Sequence, residues 1–228
     1  MSDNNLFLRQ QAAVDMDALQ ALSVGLIGCG SIGSSAALYL GKMGVGQLSL
    51  YDPDSIEEHN WSNQLFFRNQ IGQPKVDALR QNLAQFSESK VITICDAYDG
   101  RTSDPLLISG VDSMKSRKEI WKVVRDKPNI GLYIDARMGL EVLTIYALNP
   151  CIKADRVAYT ATLTSDEAAH SDPCTARSIA YTPAVSAGII ASYVKKLVNI
   201  HSGRGENPIP FGIVFDLATM TMMPLQHA

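Results

Sequence analysis

A glycine triad near the start of the chain constrains its fold more than any other feature. Residues 25–33 read Gly-Leu-Ile-Gly-Cys-Gly-Ser-Ile-Gly, so Gly28, Gly30 and Gly33 follow an apolar run and precede an alanine-rich segment. In a strand–turn–helix unit the first glycine permits the tight turn, the second lets a pyrophosphate approach the backbone, and the third lets helix and strand pack closely. The triad therefore predicts a phosphate-binding turn, of a kind that serves NAD, FAD and ATP alike.

Apolar and amphipathic segments alternate along the chain, which is the pattern of an α/β protein. Short apolar runs are typical of buried strands, and the segments between them are typical of helices. Such alternation predicts a doubly wound, mostly parallel, Rossmann-like sheet with ligands at the carboxyl ends of its strands. The predicted strands cover residues 23–27, 47–51, 91–95, 106–111, 130–134, 142–148 and 211–217. The predicted helices cover residues 34–42, 76–83, 117–125 and 182–198.

Length and composition predict one soluble domain. The 228 residues are 46% hydrophobic and 19% charged, as in an ordinary globular protein. We expect a single domain over residues 1–228, in which residues 151–181 form an irregular crossover and acceptor loop. The net charge of −3, without a basic cluster, argues against a nucleic-acid partner. The lack of a leader and of a long apolar stretch predicts a cytoplasmic protein with no membrane contact.

The four cysteines are widely spaced and form no Cys-x-x-Cys pair, which argues against a thiolate zinc site. We expect free thiols in a reducing compartment. Cys29 is predicted to be a small spacer within the glycine turn, and Cys95 a buried strand residue.

Several further motifs follow the triad in a fixed order. The order resembles that of the enzymes that activate ubiquitin-like proteins, and in particular the bacterial ThiF and MoeB type adenylyltransferases. The resemblance extends over residues 8–145, with a continuation around Cys174. The motifs are Arg9-Gln10, the glycine triad, Asp52-x-Asp54, Asn60-x-x-x-Gln64, Gly72-x-Pro74-Lys75, and Val111-Asp112-Ser113 with Arg117.

The resemblance implies adenylation of a C-terminal carboxylate by Mg²⁺ and ATP. The terminal carboxylate of a small ubiquitin-like or sulfur-carrier protein attacks the α-phosphate of ATP and releases pyrophosphate. The resemblance also implies a homodimer, because relatives often supply the residue that matches Arg9 across the dimer interface.

Each matched residue receives a role from the resemblance. Lys75 would stabilise the charge that develops on the α-phosphate, and Asp112 would hold Mg²⁺. Asp52 would bind the ribose, in agreement with its place about 20 residues beyond the glycine turn. The residues expected to bind the nucleotide are Arg9, Gly28, Gly30, Gly33, Asp52, Asp54, Asn60 and Gln64.

Three of these residues also admit simpler interpretations. Lys75 at the start of an amphipathic helix is compatible with a solvated surface lysine. Asp112 is compatible with a helix N-cap, a position that aspartate favours. Asp52 is compatible with an acid that merely ends a strand.

The chain departs from the family pattern in its asparagine block and in its zinc sites. Asn63 stands where relatives carry an arginine that contacts the triphosphate, and Arg68 is the nearest candidate to replace it. The zinc-binding cysteine pairs of the relatives are absent. Dimer contacts are then expected from the small-residue helix around residues 184–192.

Cys174 matches the position at which ThiF-like proteins carry a cysteine that joins the carrier covalently. Arg177 or a following helix N-terminus would lower the pKa of its thiol, and His170 is the nearest candidate base. A structural cysteine is the alternative. Arg137 is expected either to bind the tail of the carrier or to pair with Asp135.

Other functions also fit the sequence. One is the activation of a different carboxylate, such as a peptide C-terminus or a small molecule. Another is a nucleotide-binding pseudoenzyme that recruits a partner, which Asn63 favours. A third is an NAD-dependent oxidoreductase, which the glycine turn and Asp52 support but Lys75, Asn60 and Gln64 do not.

Overall fold

The computed structural model describes residues 5–101, 103–164 and 179–226. Within them, eight strands form one sheet and helices cover both of its faces. The strands are β1 (Ser23–Ile27), β2 (Gln47–Tyr51), β3 (Lys90–Ile94), β4 (Leu106–Ser109), β5 (Leu132–Gly139), β6 (Val142–Leu148), β7 (Gly212–Asp216) and β8 (Thr221–Leu225). The helices are α1 (Met16–Ala21), α2 (Ser31–Met43), α3 (Lys75–Leu83), α4 (Met114–Val124), α5 (Lys153–Ala161) and α6 (Tyr181–His201).

The strand order is β3-β2-β1-β4-β5-β6-β7-β8, which confirms the doubly wound topology. The first five strands of this order are parallel, and β6, β7 and β8 continue the sheet as antiparallel neighbours. The connection from β3 to β4 crosses both β2 and β1, and the helices that follow β1 and β4 lie on opposite faces of the sheet. Such a switch point opens a crevice at the carboxyl ends of the two strands. The glycine turn follows β1 and Asp112 follows β4, so both lie at this crevice, where the sequence predicts the ligand site.

Two hydrophobic cores lie on the two faces of the sheet. On one face α2, α3 and α6 cover the strands, and small residues such as Ala37, Ala187 and Ala191 let α2 and α6 pack closely. On the other face α4 and α5 cover an aromatic core that contains Trp121 and Tyr159. The small residues of α6 are thus mostly used within one chain, whereas Gly188 and Ser192 remain exposed. Among the described residues, no helix is long and apolar enough to cross a membrane.

The expectation of an irregular stretch after residue 151 is wrong for its first part, because α5 occupies Lys153–Ala161. The helix is short and amphipathic and buries Tyr159 and Asp155, a pattern that the sequence analysis did not recognise. The expectation of a last strand at residues 211–217 is also incomplete, since β8 forms a hairpin with β7. Cys95 is exposed just beyond β3, contrary to prediction, because β3 ends one residue earlier.

Candidate functional site

The glycine turn between β1 and α2 has the geometry that its sequence predicts. Gly28 adopts a φ of 87°, which favours glycine, and its amide donates to the carbonyl of Tyr51 over 2.8 Å. A Cβ at Gly33 would lie 1.8 Å from the carbonyl oxygen of Gly28. Gly28 is therefore required for the turn and Gly33 for the close approach of α2 to it.

Gly30 has a different role, because space is open beside it. It caps the N-terminus of α2, and a Cβ there would meet only Nε2 of Gln64, at 3.8 Å. The first amides of a helix have no partner within the helix, and the helix dipole makes this end attractive to anions. The backbone at Gly30 is thus open to an approaching phosphate.

Asp52 clamps the turn from the end of β2. The residue is 4% exposed. Its Oδ2 accepts the amide of Cys29 over 2.7 Å, and its Oδ1 accepts the amide of Asp54 over 2.8 Å. Burial raises the pKa of the Asp52 carboxyl, although these two amides and the charge of Lys75 act in the opposite direction. Asp52 thus stabilises the turn, and its contact with a ribose stays a prediction.

Lys75 is buried at the start of α3, so the interpretation as a solvated surface lysine is wrong. Its side chain is 9% exposed, and its Nζ lies 2.8 Å from Oδ2 of Asp54. Backbone hydrogen bonds hold the two segments together. The Lys75 amide donates to the Asp54 carbonyl, and the Ile56 amide donates to the Gln73 carbonyl, each over 2.9 Å. Burial raises the pKa of the Cys29 thiol, and the positive charge of Lys75 acts in the opposite direction on both Cys29 and Asp52.

The loop after β2 brings Asn60 and Gln64 to the same region. Asn60 is buried, and its Oδ1 accepts the amide of Glu57 over 2.9 Å, which shapes the loop. The amide of Leu65 donates to Oγ of Ser34 over 3.1 Å and so fixes the loop on α2. Within the described part of the chain, the buried Oε1 of Gln64 has no hydrogen-bond partner. The Gln64 amide therefore lies beside Gly30 with an unfilled acceptor.

Asp112 is exposed in the loop after β4, close to the glycine turn. A Cβ at Gly28 would lie 3.2 Å from the backbone of both Gly110 and Val111, so this loop packs against the turn. The N-cap of α4 is Ser113, whose side chain accepts the amide of Ser116 over 3.1 Å. The interpretation of Asp112 as the helix cap is therefore wrong, and its carboxylate is available to a ligand.

Arg9 lies away from the turn within one chain. Its neighbours contact the far end of α2: Gln10 donates to the Met43 carbonyl over 2.5 Å, and the Phe7 ring lies beside Gly44. The 13 residues of α2 separate that end from the turn by about 20 Å. Arg9 is exposed there, so the structure does not bring it together with the other predicted site residues of its own chain.

A family model describes nearly the whole chain, since the ThiF family matches residues 3–228. The chain belongs to the ThiF family. It is 30% identical over 138 residues to ubiquitin-like modifier-activating enzyme 5 of Arabidopsis thaliana, which covers 50% of this chain and 32% of that protein. It is 37% identical over 118 residues to molybdopterin-synthase adenylyltransferase of Salmonella typhimurium. That match covers 51% of this chain and 47% of the relative.

Solved structures show the same fold for this ThiF-family chain. A crystal structure of E. coli MccB with ATP has a TM-score of 0.72 at 18% identity and covers 93% of this chain and 65% of that one. A crystal structure of PaaA has a TM-score of 0.70 at 17% identity and covers 93% and 66%. The chain spans about a third to a half of the length of the two sequence relatives above.

Sequence reasoning missed that Arg117 joins Asp135 and Arg137 in a buried ion cluster near the loop that carries Asp112. Asp135 in β5 is fully buried, and its Oδ1 and Oδ2 lie 3.1 Å and 2.8 Å from Nε of Arg117 and Nε of Arg137. Of the two alternatives for Arg137, pairing with Asp135 is therefore confirmed. Burial raises the pKa of the Asp135 carboxyl, but the two guanidinium charges outweigh it and hold that pKa below its usual range. The sequence offered a signal only for Arg137, which follows Asp135 by two residues on the same strand, whereas Arg117 lies on α4, 18 residues before Asp135.

The predicted roles of a few residues are not tested by the structure. Cys174, with its proposed helpers Arg177 and His170, lies outside the described residues. Arg68 is exposed in a short 3-10 turn, and Asn63 is half-buried. The roles of Cys174 and Arg68 stay predictions.

Proposed function

We propose that this chain is an ATP-dependent adenylyltransferase that activates the C-terminal carboxylate of a small ubiquitin-like or sulfur-carrier protein. The observation that carries the proposal is the convergence of an open glycine turn, a buried lysine and an exposed carboxylate at one end of the sheet. Gly30, Lys75 and Asp112 are the residues concerned. Membership of the ThiF family supports the same chemistry.

The relatives support this choice of substrate. They include an enzyme that activates a ubiquitin-like modifier and an adenylyltransferase of molybdopterin synthase. Among the solved structures, E. coli MccB was crystallised both with ATP and with MccA. Hydride transfer, the third option from the sequence, finds no counterpart among these proteins.

The reaction needs little more from the protein than orientation and charge. An oxygen of the acceptor carboxylate forms a bond to the α-phosphorus of ATP, the bond from that phosphorus to the bridging oxygen breaks, and pyrophosphate leaves. Backbone amides at the start of α2 would hold phosphate oxygens, and Lys75 would stabilise negative charge around the α-phosphorus. Lys75 must then exchange Asp54 for a phosphate oxygen when ATP binds.

The site also fits Mg²⁺. This ion takes one or two protein carboxylates and completes its shell with water and substrate phosphates. Asp112 offers one exposed carboxylate beside the turn, and the described residues contain no cluster of three acidic, histidine or cysteine ligands that would form an all-protein cage. Bound there, Mg²⁺ would neutralise charge on the phosphates.

The position of Arg9 favours a homodimer. In one chain this arginine is about 20 Å from its own glycine turn, at the other end of α2. A second copy that presents this end to the first would bring an arginine to the nucleotide. Such an arrangement would supply a positive charge at a site where Asn63 replaces the expected arginine.

A nucleotide-binding pseudoenzyme is the second candidate, and the same replacement at Asn63 favours it. Loss of one fixed positive charge at a developing anion is worth roughly 3–4 kcal/mol in the barrier. In that case ATP would bind with Mg²⁺ and no pyrophosphate would be released with any acceptor.

Calorimetric titration with Mg-ATP and, separately, with NAD tests the nucleotide. We expect binding of ATP and none of NAD, and binding of NAD alone would refute the proposal. Pyrophosphate exchange with candidate carrier proteins then tests the chemistry. We expect Lys75→Ala to reduce exchange by at least 100-fold with little change in ATP affinity, because the lysine acts on the transition state.

The matched control is Lys122→Ala, since Lys122 forms an exposed ion pair with Glu119 on α4. We expect exchange at the wild-type rate in this variant. Equal rates in Lys75→Ala and wild type would refute the catalytic role of Lys75. Mg-ATP binding without exchange, across all carriers, peptides and small carboxylates offered, would favour the pseudoenzyme.

A further inference from the structure

The guanidinium of Arg117 joins two backbone carbonyls and one carboxylate. Its Nε donates to Asp135 over 3.1 Å, and its Nη2 donates to the carbonyl oxygens of Ala136, over 3.3 Å, and of Val111. The Arg117 side chain is 6% exposed. Arg117 therefore ties the loop after β4 to the buried interior of β5.

The Val111 carbonyl belongs to the peptide unit that leads into Asp112. Because a peptide unit is planar, the direction of this carbonyl also sets the position of the Asp112 nitrogen and Cα. The loop is held on both sides of this unit, since Gly110 donates to the Ile27 carbonyl over 2.9 Å and Ser113 caps α4. Asp112 is thus an exposed residue whose backbone is held by hydrogen bonds to the buried interior.

Asp135 keeps Arg117 in place. A guanidinium presents its donors in a rigid planar fork, so fixing Nε on the carboxylate also aims Nη2 at the Val111 carbonyl. The other side of the carboxylate is occupied by Arg137, which also donates to Oγ1 and the carbonyl of Thr162 over 2.9 Å and 3.1 Å. The guanidinium carbon of Arg137 lies 4.6 Å from the centre of the Tyr146 ring. Arg137 shares the carboxylate but does not contact the loop of Asp112.

We propose that Arg117, held by Asp135, is a positioning residue that sets the Asp112 carboxylate for Mg²⁺ and ATP. The proposal rests on the proposed function for the role of Asp112. It predicts that Arg117 acts through the Val111 carbonyl and that Arg137, its partner in the same ion cluster, does not.

The test compares Arg117→Lys with Arg137→Lys. Both variants keep a positive charge at the substituted position, and both lose the planar guanidinium group. Only Arg117→Lys removes the guanidinium hydrogen bond to the Val111 carbonyl. ATP binding is measured by calorimetry over a range of Mg²⁺ concentrations, and hydrogen exchange is measured for the peptide that spans residues 110–113. Asp112→Asn serves as the reference variant.

We expect Arg117→Lys to raise the Mg²⁺ concentration for half-maximal enhancement of ATP binding at least tenfold and to speed exchange of the peptide at least tenfold. Arg137→Lys should change each by less than twofold. In the Asp112→Asn background, Arg117→Lys should leave the remaining Mg²⁺ response unchanged. Equal effects of the two arginine variants, or a full effect of Arg117→Lys without the Asp112 carboxylate, would overturn the proposal.

Hydrogen exchange separates this inference from the proposed function. If wild-type protein binds ATP equally with and without Mg²⁺, the role of Asp112 in the proposed function fails, and with it the purpose assigned to Arg117. Unchanged exchange in Arg117→Lys overturns the positioning by itself, whether or not ATP binds. If Arg117→Lys fails to fold, the triple variant Arg117→Met, Asp135→Asn, Arg137→Met replaces the ion cluster without charges and should show the same loss of Mg²⁺ response.

Discussion

Asp52 and Asp135 are two buried carboxylates at the same end of the sheet, and they are compensated in opposite ways. Asp52 is bound by two backbone amides, with one lysine nearby, and its pKa is raised. Asp135 is bound by two arginines, and its pKa is lowered. Burial raises the pKa of both carboxyls, so the difference comes from the charged side chains that lie next to each of them.

The comparison shows how the two regions are suited to different tasks. The region of Asp135 is closed, because its carboxylate oxygens are both occupied by guanidinium groups. The region of Asp52 is open, since space remains beside Gly30 and the nearby Lys75 has only an exposed carboxylate as its partner. A site that is to bind an anionic substrate needs such an unfilled place. The closed cluster instead gives the loops around that place a fixed geometry.

The largest expected effect is on stability at the closed cluster. Asp135→Asn should lower the free energy of unfolding by about 3–5 kcal/mol, because two buried guanidinium groups then lose their shared counterion. Urea denaturation with a fluorescence readout measures this. A loss below about 1 kcal/mol would show that the arginines are compensated by other groups and would remove the contrast between the two sites.

Asp52→Asn should lower the free energy of unfolding by less, about 1–2 kcal/mol. The amide that replaces the carboxylate accepts one backbone N–H and turns its own donor toward the other, but a buried charge is removed at the same time. The same denaturation experiment compares the two variants directly. A cost equal to that of Asp135→Asn would mean that Asp52 carries more structural weight than its hydrogen bonds to the Cys29 and Asp54 amides indicate.

Gly30→Ala should separate binding from folding at the open site. The new methyl group has space within the protein, so the melting temperature should stay within about 2 °C of wild type. ATP affinity should fall at least tenfold, about 1.4 kcal/mol, because the methyl group occupies the approach of the phosphate. Gly188→Ala on α6, where a Cβ meets nothing within 4 Å, is the control and should bind ATP normally. Unchanged affinity in Gly30→Ala would place the phosphates elsewhere.

The pH dependence of stability should have opposite signs for the two acids. The stabilising contribution of Asp135 is complete above the ordinary aspartate pKa of about 3.9 and is lost as the pH falls through its lowered pKa. The contribution of Asp52 is complete below about 3.9 and is lost as the pH rises through its raised pKa. Each change is limited to about 1.4 kcal/mol per pH unit.

Denaturation of wild type and the two asparagine variants between pH 7 and pH 3 checks these signs. The advantage of wild type over Asp135→Asn should shrink below about pH 4. Relative to Asp52→Asn, wild type should gain stability as the pH falls from 7 toward 4. The same sign for both acids would contradict the comparison.

The sequence predicted the elements whose local pattern is strong and missed those that depend on distant partners. The strands at residues 23–27, 47–51 and 142–148 have the predicted bounds, because each is a short apolar run with clear turn residues beside it. Helix α5 was missed, since most of its surface is exposed and polar. Strand β8 was missed because its partner β7 determines that it is a strand.

The candidate site was predicted in the same uneven way. The glycine turn, Asp52 and Lys75 are recognisable because their spacing along the chain is fixed by one strand–turn–helix unit and its neighbour. Of the ion cluster around Asp135, only the pair with Arg137 was among the predictions, because Arg117 and Asp135 are 18 residues apart and meet only when α4 packs on the sheet. The predicted roles of Cys174 and Arg9 depend on segments or copies outside the described chain.

The sequence by itself determined the doubly wound fold and the place of the glycine turn, because glycine conformations and hydrophobic periodicity act over a few residues. Only the tertiary structure decided which charges are free to meet a ligand. In the packed chain Lys75 is buried and paired with Asp54, Arg117 and Arg137 are both paired with Asp135, and Asp112 is exposed. Burial and charge pairing are properties of the packed chain, since the groups that compensate a buried charge come from strands and helices far apart in the sequence.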